Sequence, residues 1–208
     1  MKTLIVVDVQ NDFVNRSWGH LYVPNGEKVI QPIIEYIENN ADIIREVIFT
    51  LDWHPYKSVA FTEPEITWPK HCLQYSEGAA IPQEIINACV DHNLRTNFFI
   101  KGNSEYEQHT EYGAFEKIGT YAYANGDLGI AVNNRLNNYS NLILAPDDEF
   151  VVCGVAGDYC VMNTIKNLLK YKGPCAPLNI SVMKNGIASI DGGEKFDNFV
   201  RENNLKTV

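Results

Sequence analysis

The sequence lacks the long apolar stretches of a membrane protein, since no run approaches the ~18 uninterrupted apolar residues of a membrane-spanning helix. It also lacks an excess of positive charge: 17 Lys and Arg stand against 26 Asp and Glu, which gives a formal net charge of −9. A field of that sign repels phosphate backbones and anionic lipid. We therefore expect neither nucleic acid nor a membrane as a partner.

The cysteines form no CxxC pair, and their number, five, is odd. Both features argue against a disulfide framework and against a structural zinc knuckle. The first apolar run meets Asp8 too early for the apolar region of a signal peptide. These observations predict a cytoplasmic protein in which at least one thiol is kept for its chemistry.

What the sequence does have is the composition of a globular domain, with 208 residues of which 45% are hydrophobic and 21% charged. We find no internal repeat or linker and expect a single domain over residues 1–208. Apolar runs at 4–7, 47–51, 97–100, 150–155 and 178–183 predict buried strands, and periodic patterns over roughly 26–45, 81–90, 161–169 and 196–200 predict helices. We expect the weakly patterned residues 53–80 and 102–127 to form long connections between these elements. This alternation predicts an α/β fold, an open and mostly parallel sheet with helices on both faces.

Polar residues follow the carboxyl ends of several predicted strands, where ligands bind in sheets of this kind. Asp8, Asp52 and Lys101 each end a strand, and Cys160 follows another strand at the predicted start of a helix. A thiol there lies at the positive end of the helix dipole, among backbone N–H groups that can lower its pKa and hold an oxyanion. A carboxylate and an ammonium beside a thiol would form a proton-transfer set. A structural ion pair and a small buried cysteine are the alternatives.

A second constellation combines Asp52, His54 and His71, one carboxylate and two imidazoles. These ligands suit a divalent transition metal with open coordination positions. Glu63 and Glu65 lie near enough in sequence to add a ligand. The gap between the two histidines fixes no geometry, so two unrelated surface histidines remain an alternative.

Six short segments stand out along the chain: D-V-Q-N-D-F at 8–13, D-W-H-P at 52–55, W-P-K-H-C-L-Q-Y-S-E-G-A at 68–79, K-G at 101–102, Y-G-A-F at 112–115 and G-V-A-G-D-Y-C-V at 154–161. Taken together, these segments resemble the isochorismatase-like cysteine hydrolases, and among them most closely the nicotinamidases (pyrazinamidases). Their order and approximate spacing hold over residues 1–170.

The resemblance implies a three-layer α/β/α fold and an amide hydrolase that serves NAD salvage. Cys160 would attack the carboxamide carbon, Asp8 would accept the thiol proton and pass it to the leaving ammonia, and Lys101 would support the charge on Asp8. Water would then hydrolyse the thioester and release nicotinate. The oxyanion would lie against the backbone N–H groups of Ala156 and Cys160, and the peptide bond before Ala156 is usually cis in this family.

The resemblance also implies one divalent metal ion held by Asp52, His54 and His71, where it would bind the pyridine nitrogen of the substrate. Zinc is favoured, with iron or manganese as alternatives. Phe13 and Trp68 match the aromatic residues that sandwich the substrate ring. The partner is then a small-molecule amide, and homo-oligomer formation stays open.

The chain departs from the family pattern in three places. Ser58 stands where many members have a third histidine, Gly157 replaces a threonine beside the nucleophile, and residues 116–149 do not match the usual segment. Hydrolysis of another small amide or carbamoyl compound is therefore the alternative function. Isochorismate hydrolysis is less favoured because it does not need the metal loop, and a noncatalytic binding protein on this fold is the third option.

Overall fold

The computed structural model describes residues 1–62, 68–105, 113–123, 125–133 and 142–208. The strands are β1 (Lys2–Val7), β2 (Ile44–Asp52), β3 (Thr96–Lys101), β4 (Lys117–Ala122), β5 (Leu128–Asn133), β6 (Leu142–Leu144), β7 (Glu149–Val155), β8 (Asn179–Ala188) and β9 (Lys206–Thr207). The α-helices are α1 (Asn11–Val14), α2 (Ile30–Asn40), α3 (Gln83–Asp91), α4 (Met162–Leu169) and α5 (Glu194–Glu202). A π-helical turn, Gly157–Val161, leads directly into α4.

Six strands form the main sheet in the order β3-β2-β1-β7-β8-β9, and each neighbouring pair is parallel. This arrangement confirms the predicted open, mostly parallel α/β sheet. A separate antiparallel sheet contains β4, β5 and β6. No helix in the described ranges is long and apolar enough to cross a membrane. The extent of the domain, residues 1–208, stays a prediction.

Helices cover both faces of the sheet because successive strand residues point to opposite sides. One buried cluster combines strand residues with α2 and α3: Leu4, Val6, Val151, Ile33, Ile37, Ile85 and Cys89. The other combines the alternate strand residues with α4 and α5: Ile5, Val7, Val152, Ile165, Leu168, Phe196 and Phe199. The apolar runs of the sequence are thus strands buried on both faces, as in other parallel sheets.

Three sequence-based boundaries were wrong. The helix predicted over 26–45 is a 3₁₀ turn, Gly26–Val29, followed by α2, and Ile44 already begins β2, where it pairs with Lys2 of β1. The helix predicted from residue 161 is preceded by the π-helical turn. The connection predicted over 102–127 contains β4, a mostly exposed strand that shows no apolar run and is defined by its pairing with β5.

Gly154 in β7 allows the close approach of β7 to β1. Its φ is 123°, and a Cβ there would lie 2.0 Å from the backbone oxygen of Val7. Any side chain at this position would therefore separate the two strands that carry the catalytic candidates. All five cysteines carry free thiols.

Candidate active site

The carboxyl ends of β1, β2 and β3 bring three predicted site residues together. Asp52 and Lys101 are register partners across β2 and β3, and Asp8 follows β1, the next strand. The Lys101 Nζ lies 2.8 Å from the Asp8 Oδ2 and also contacts the Asp52 Oδ1. Lys101 is only 3% exposed, so both of its carboxylate contacts are shielded from water.

Cys160 completes this group from the turn that follows β7. Its Sγ lies 3.8 Å from the Lys101 Nζ. The Sγ and one carboxylate oxygen each from Asp8 and Asp52 lie within 4.8 Å of one another. The thiol is 9% exposed and reaches the cavity described below. The structure therefore places the predicted thiol, carboxylate and ammonium in mutual contact.

Thr50 orients the Asp8 carboxylate. Its hydroxyl donates a hydrogen bond of 2.6 Å to the Asp8 Oδ1, and the Asp8 N–H donates to the Thr50 carbonyl at 3.1 Å. Asp8 itself has a φ of 51°, a left-handed conformation that non-glycine residues adopt rarely. Sequence reasoning missed Thr50, because a threonine inside an apolar strand carries no motif of its own.

Burial governs the proton affinity of the thiol and of the Asp8 carboxyl. Burial raises the pKa of Cys160 well above its usual range, and the Lys101 ammonium opposes this only in part. The expectation that the helix N-terminus would lower this pKa was wrong, because loss of hydration outweighs the nearby positive charges. Burial likewise raises the pKa of Asp8, against the opposing effect of Lys101. The thiol thus keeps its proton at rest, and the neighbouring carboxylate is a stronger base than an exposed aspartate.

Asp52 and Lys101, which lie beside the thiol and Asp8, stay charged. Burial alone would raise the pKa of Asp52, but the Lys101 ammonium and the neighbouring His54 and His71 lower it well below its usual range. Burial would lower the pKa of Lys101, but the carboxylates of Asp52 and Asp8 raise it well above its usual range. A permanent ammonium therefore lies between a permanent carboxylate and the candidate base.

Asp52, His54 and His71 form a compact group of ligand atoms. The Asp52 Oδ2 lies 3.8 Å from the His54 Nε2 and 3.7 Å from the His71 Nε2. One ligand atom from each residue lies within 4.8 Å of the other two, and all three residues are buried. The sequence-based trio is therefore brought together, in place of two unrelated surface histidines.

The hydrogen bonds of the two histidine rings orient one nitrogen of each ring so that it can bind a metal ion. The His54 Nδ1 lies 3.1 Å from the Gly102 carbonyl oxygen, and the His71 Nδ1 lies 2.7 Å from the Pro69 carbonyl oxygen. Each ring thus donates through Nδ1 and presents the lone pair of Nε2 to the group, as in metal-binding histidines. One carboxylate and two neutral imidazoles are a donor set that suits a divalent transition metal.

Gln10 holds the backbone of Asp52 in place. Its Nε2 donates to the Asp52 carbonyl at 2.7 Å, and its Oε1 accepts from the Asp52 N–H at 2.8 Å. The sequence motif contained Gln10 without suggesting this function. The pairing is invisible in the sequence because 42 residues separate the partners.

The position expected to carry a third histidine has a different function here. Ser58 is buried and caps the 3₁₀ turn Val59–Phe61, where its hydroxyl accepts from the Ala60 N–H at 3.3 Å. It is not part of the ligand group. Glu63 and Glu65, the other candidate ligands, lie outside the described residues.

A cavity of about 40 Å³ connects the thiol with the ligand group. Its wall contains the predicted substrate-binding residues Phe13, Trp68 and Ala156, together with Cys160, Asp52, His54 and His71. Sequence reasoning missed the remaining lining residues, which are Leu21, Val23, Ala60, Tyr159 and Ile190.

The aromatic residues of the wall pack against both halves of the site. The ring centroids of Phe13 and His71 are 5.3 Å apart, and those of Trp68 and Tyr159 are 5.8 Å apart at 89°. The peptide bond between Val155 and Ala156 is cis, as the resemblance implied. A flat, uncharged ring is the kind of ligand that such a wall accommodates.

Comparison with known proteins agrees with this geometry, although no family model matches the sequence. The nicotinamidase of Saccharomyces cerevisiae is 28% identical over 188 residues, which cover 79% of this chain and 79% of the relative. The nicotinamidase of Escherichia coli is 27% identical, with 81% of this chain and 76% of the relative covered. The nicotinamidase/pyrazinamidase of Mycobacterium tuberculosis is 27% identical, with 82% and 80% covered.

Solved structures show the same fold. The yeast nicotinamidase superposes with a TM-score of 0.70 at 25% identity and covers 100% of this chain and 99% of its own; it has also been solved bound to the inhibitor nicotinaldehyde. The zinc complex of the Pyrococcus horikoshii pyrazinamidase has a TM-score of 0.68 at 23% identity, covering 100% and 98%. The fold thus has the arrangement seen in the nicotinamidases and other isochorismatase-like structures. Within that class, the resemblance to the nicotinamidases is confirmed along most of the chain.

Proposed function

We propose that the protein is an amidohydrolase that converts nicotinamide to nicotinate and ammonia. The observation that carries this proposal is the meeting, in one cavity, of the Cys160 thiol with a ligand group that can hold a metal ion. The similarity to nicotinamidases over about four-fifths of the chain supports the same reaction.

The chemistry begins with proton transfer. Cys160 gives its proton to Asp8, whose basicity burial has raised, and the sulfur attacks the carboxamide carbon. The Lys101 ammonium stabilises the thiolate as it forms, because its Nζ lies 3.8 Å from the sulfur. Thr50 keeps the accepting carboxylate oriented through its hydrogen bond.

The tetrahedral intermediate then collapses to a thioester. We assign its oxyanion to the backbone N–H groups of Ala156 and Cys160. Asp8 returns the proton to the amide nitrogen, which leaves as ammonia. Water attacks the thioester and loses its proton through Asp8, the C–S bond breaks, and the thiol is restored as nicotinate leaves.

Asp52, His54 and His71 would hold one divalent metal ion, and we propose zinc on the basis of the carboxylate and imidazole donors. When bound, the ion would supply a Lewis acid toward the pyridine nitrogen of the substrate. Phe13 and Trp68 would hold the faces of the ring. The cytoplasmic location and the oligomeric state stay predictions.

Ammonia release by the purified protein tests the proposal, with benzamide as the matched substrate because it differs only in lacking the ring nitrogen. We expect nicotinamide to be hydrolysed far faster than benzamide, a chelator to remove this preference, and a divalent metal to restore it. No ammonia from nicotinamide in the metal-loaded protein would refute the proposal. Equal rates with both amides would refute the function of the metal group.

A further inference from the structure

The connection between β8 and α5 places an apolar side chain at the mouth of the cavity. We call residues 189–191 of this connection the 189–191 segment. Ile190 lines the cavity and yet is 42% exposed, whereas every other lining residue in the described part of the chain is buried or half-buried. A side chain that borders both the cavity and bulk water lies at the entrance.

The buried carboxylate of Asp158 holds this segment. Its Oδ1 accepts a hydrogen bond from the Ile190 N–H at 3.0 Å, and its Oδ2 accepts from the Asp191 N–H at 3.2 Å. Asp158 is 2% exposed and belongs to the same π-helical turn as Cys160. The entrance residue is therefore positioned by the turn that carries the nucleophile.

Gly157 shows how closely the segment packs on that turn. A Cβ at position 157 would lie 2.3 Å from the Ser189 Oγ and 2.8 Å from the Ile187 Cγ2. Distances this short essentially never occur for real Cβ atoms, so a side chain there would force the side chains of Ser189 and Ile187 to shift. The glycine that stands at position 157 in place of the family's threonine thus leaves the space that the Ser189 side chain occupies.

We infer that Ile190 is a specificity-determining residue that limits the size of the amide entering the cavity, and that Asp158 is its positioning residue. That the substrate is nicotinamide rests on the proposed function. That Ile190 borders the entrance rests on its exposure and on the hydrogen bonds that hold the 189–191 segment. A one-ring amide passes Ile190, and a fused two-ring amide is excluded by its side chain. Removing a few methylene-sized groups from such a wall changes the ratio of kcat/KM between a large and a small substrate by about tenfold or more.

The first test compares nicotinamide with quinoline-3-carboxamide, which adds a fused ring. Ile190→Ala should raise the ratio of kcat/KM for the two-ring amide over that for nicotinamide by about tenfold, and should raise the KM for nicotinamide more than it changes kcat. Ile43→Ala is the matched control, since Ile43 is 44% exposed and lies outside the cavity wall. An unchanged ratio in Ile190→Ala would overturn the inference.

The second test addresses positioning. Asp158→Asn should raise the same substrate ratio, because the NH2 group that replaces one carboxylate oxygen cannot accept the backbone hydrogen bond made to that oxygen. Its effect should not add to that of Ile190→Ala. A purely structural function would lower Tm without changing the ratio, and additive effects would also exclude positioning. Should Asp158→Asn fail to fold, Gly157→Ala tests the packing of the 189–191 segment on the same turn: it should raise the ratio, and adding Ser189→Ala should restore it.

A third measurement needs no turnover. Peptide mass spectrometry can compare the alkylation of Cys160 by N-phenylmaleimide and by the smaller N-methylmaleimide. Ile190→Ala should raise the phenyl-to-methyl rate ratio about tenfold relative to Ile43→Ala. A raised ratio in a protein that releases no ammonia from nicotinamide would refute the proposed function and support the entrance. An unchanged ratio would refute the entrance whatever the substrate.

Discussion

Replacing Lys101 by methionine removes a buried charge while it keeps most of the length of the side chain. Lys101 contacts the buried carboxylates of Asp8 and Asp52, so its loss leaves two negative charges close together without this ammonium. Breaking a buried ion pair in this way typically costs about 3–5 kcal/mol. In a chain of this length that corresponds to a fall in Tm of roughly 6–20 °C.

The cost should depend on pH in a direction set by the pKa shifts. The pKa of Lys101 is raised above its usual 10.5, so the stability it contributes is fully present below that pH. The pKa of Asp52 is lowered below its usual 3.8, so its contribution is present above that pH and lost as the pH falls further. Without the ammonium, burial raises the pKa of both carboxyls, and protonation relieves the repulsion. The difference between wild type and variant should therefore shrink from about pH 7 to about pH 4.

Urea unfolding of both proteins at each pH, in the presence of a chelator, measures this difference. Lys184→Met is the matched control, because Lys184 pairs with Asp197 at 2.8 Å on the surface. Such exposed pairs contribute little, so this control should show a small effect at every pH. A Lys101→Met difference that stays constant from pH 7 to pH 4, or that equals the Lys184→Met difference, would refute the argument.

Three further predictions concern activity. Thr50→Val should lower kcat about 10- to 100-fold through loss of its hydrogen bond to Asp8, and an unchanged rate of ammonia release would exclude this function. Cys160→Ala should abolish ammonia release and keep the circular dichroism spectrum, while Cys175→Ala should keep both; turnover by the former would end the nucleophile assignment. His71→Ala should lose bound metal and raise the KM for nicotinamide together, and full metal content in this variant would contradict the assigned ligand set.

The sequence predicted five of the six main-sheet strands because they are largely buried and appear as short apolar runs. It missed β9, which is short and exposed. The same runs end in Asp8, Asp52 and Lys101, and parallel strands place their carboxyl ends at one edge. The meeting of these three side chains was therefore predictable from local pattern and topology. The antiparallel sheet was not, since β4 is mostly exposed and is defined by its partner β5.

The unpredicted parts of the site depend on contacts between distant segments. Thr50 meets Asp8 across 42 residues, and Ile190 meets Asp158 across 32. Neither pair has a spacing that a helix or strand period would indicate. The direction of the Cys160 pKa shift was also wrong from sequence, because the helix position is local whereas burial depends on the whole packed domain.

Residue types and short-range periodicity, by themselves, indicated the fold class. They also made the thiol with its acid and ammonium, and the trio of metal-type ligands, candidates that the resemblance to a known family then favoured. Only the tertiary structure decided how strongly each group is desolvated, which side chains orient Asp8 and Asp52, and which residue borders the entrance of the cavity. The physical reason is range: strand and helix patterns arise from neighbours in the chain, whereas desolvation and packing sum over segments that meet only in the folded protein.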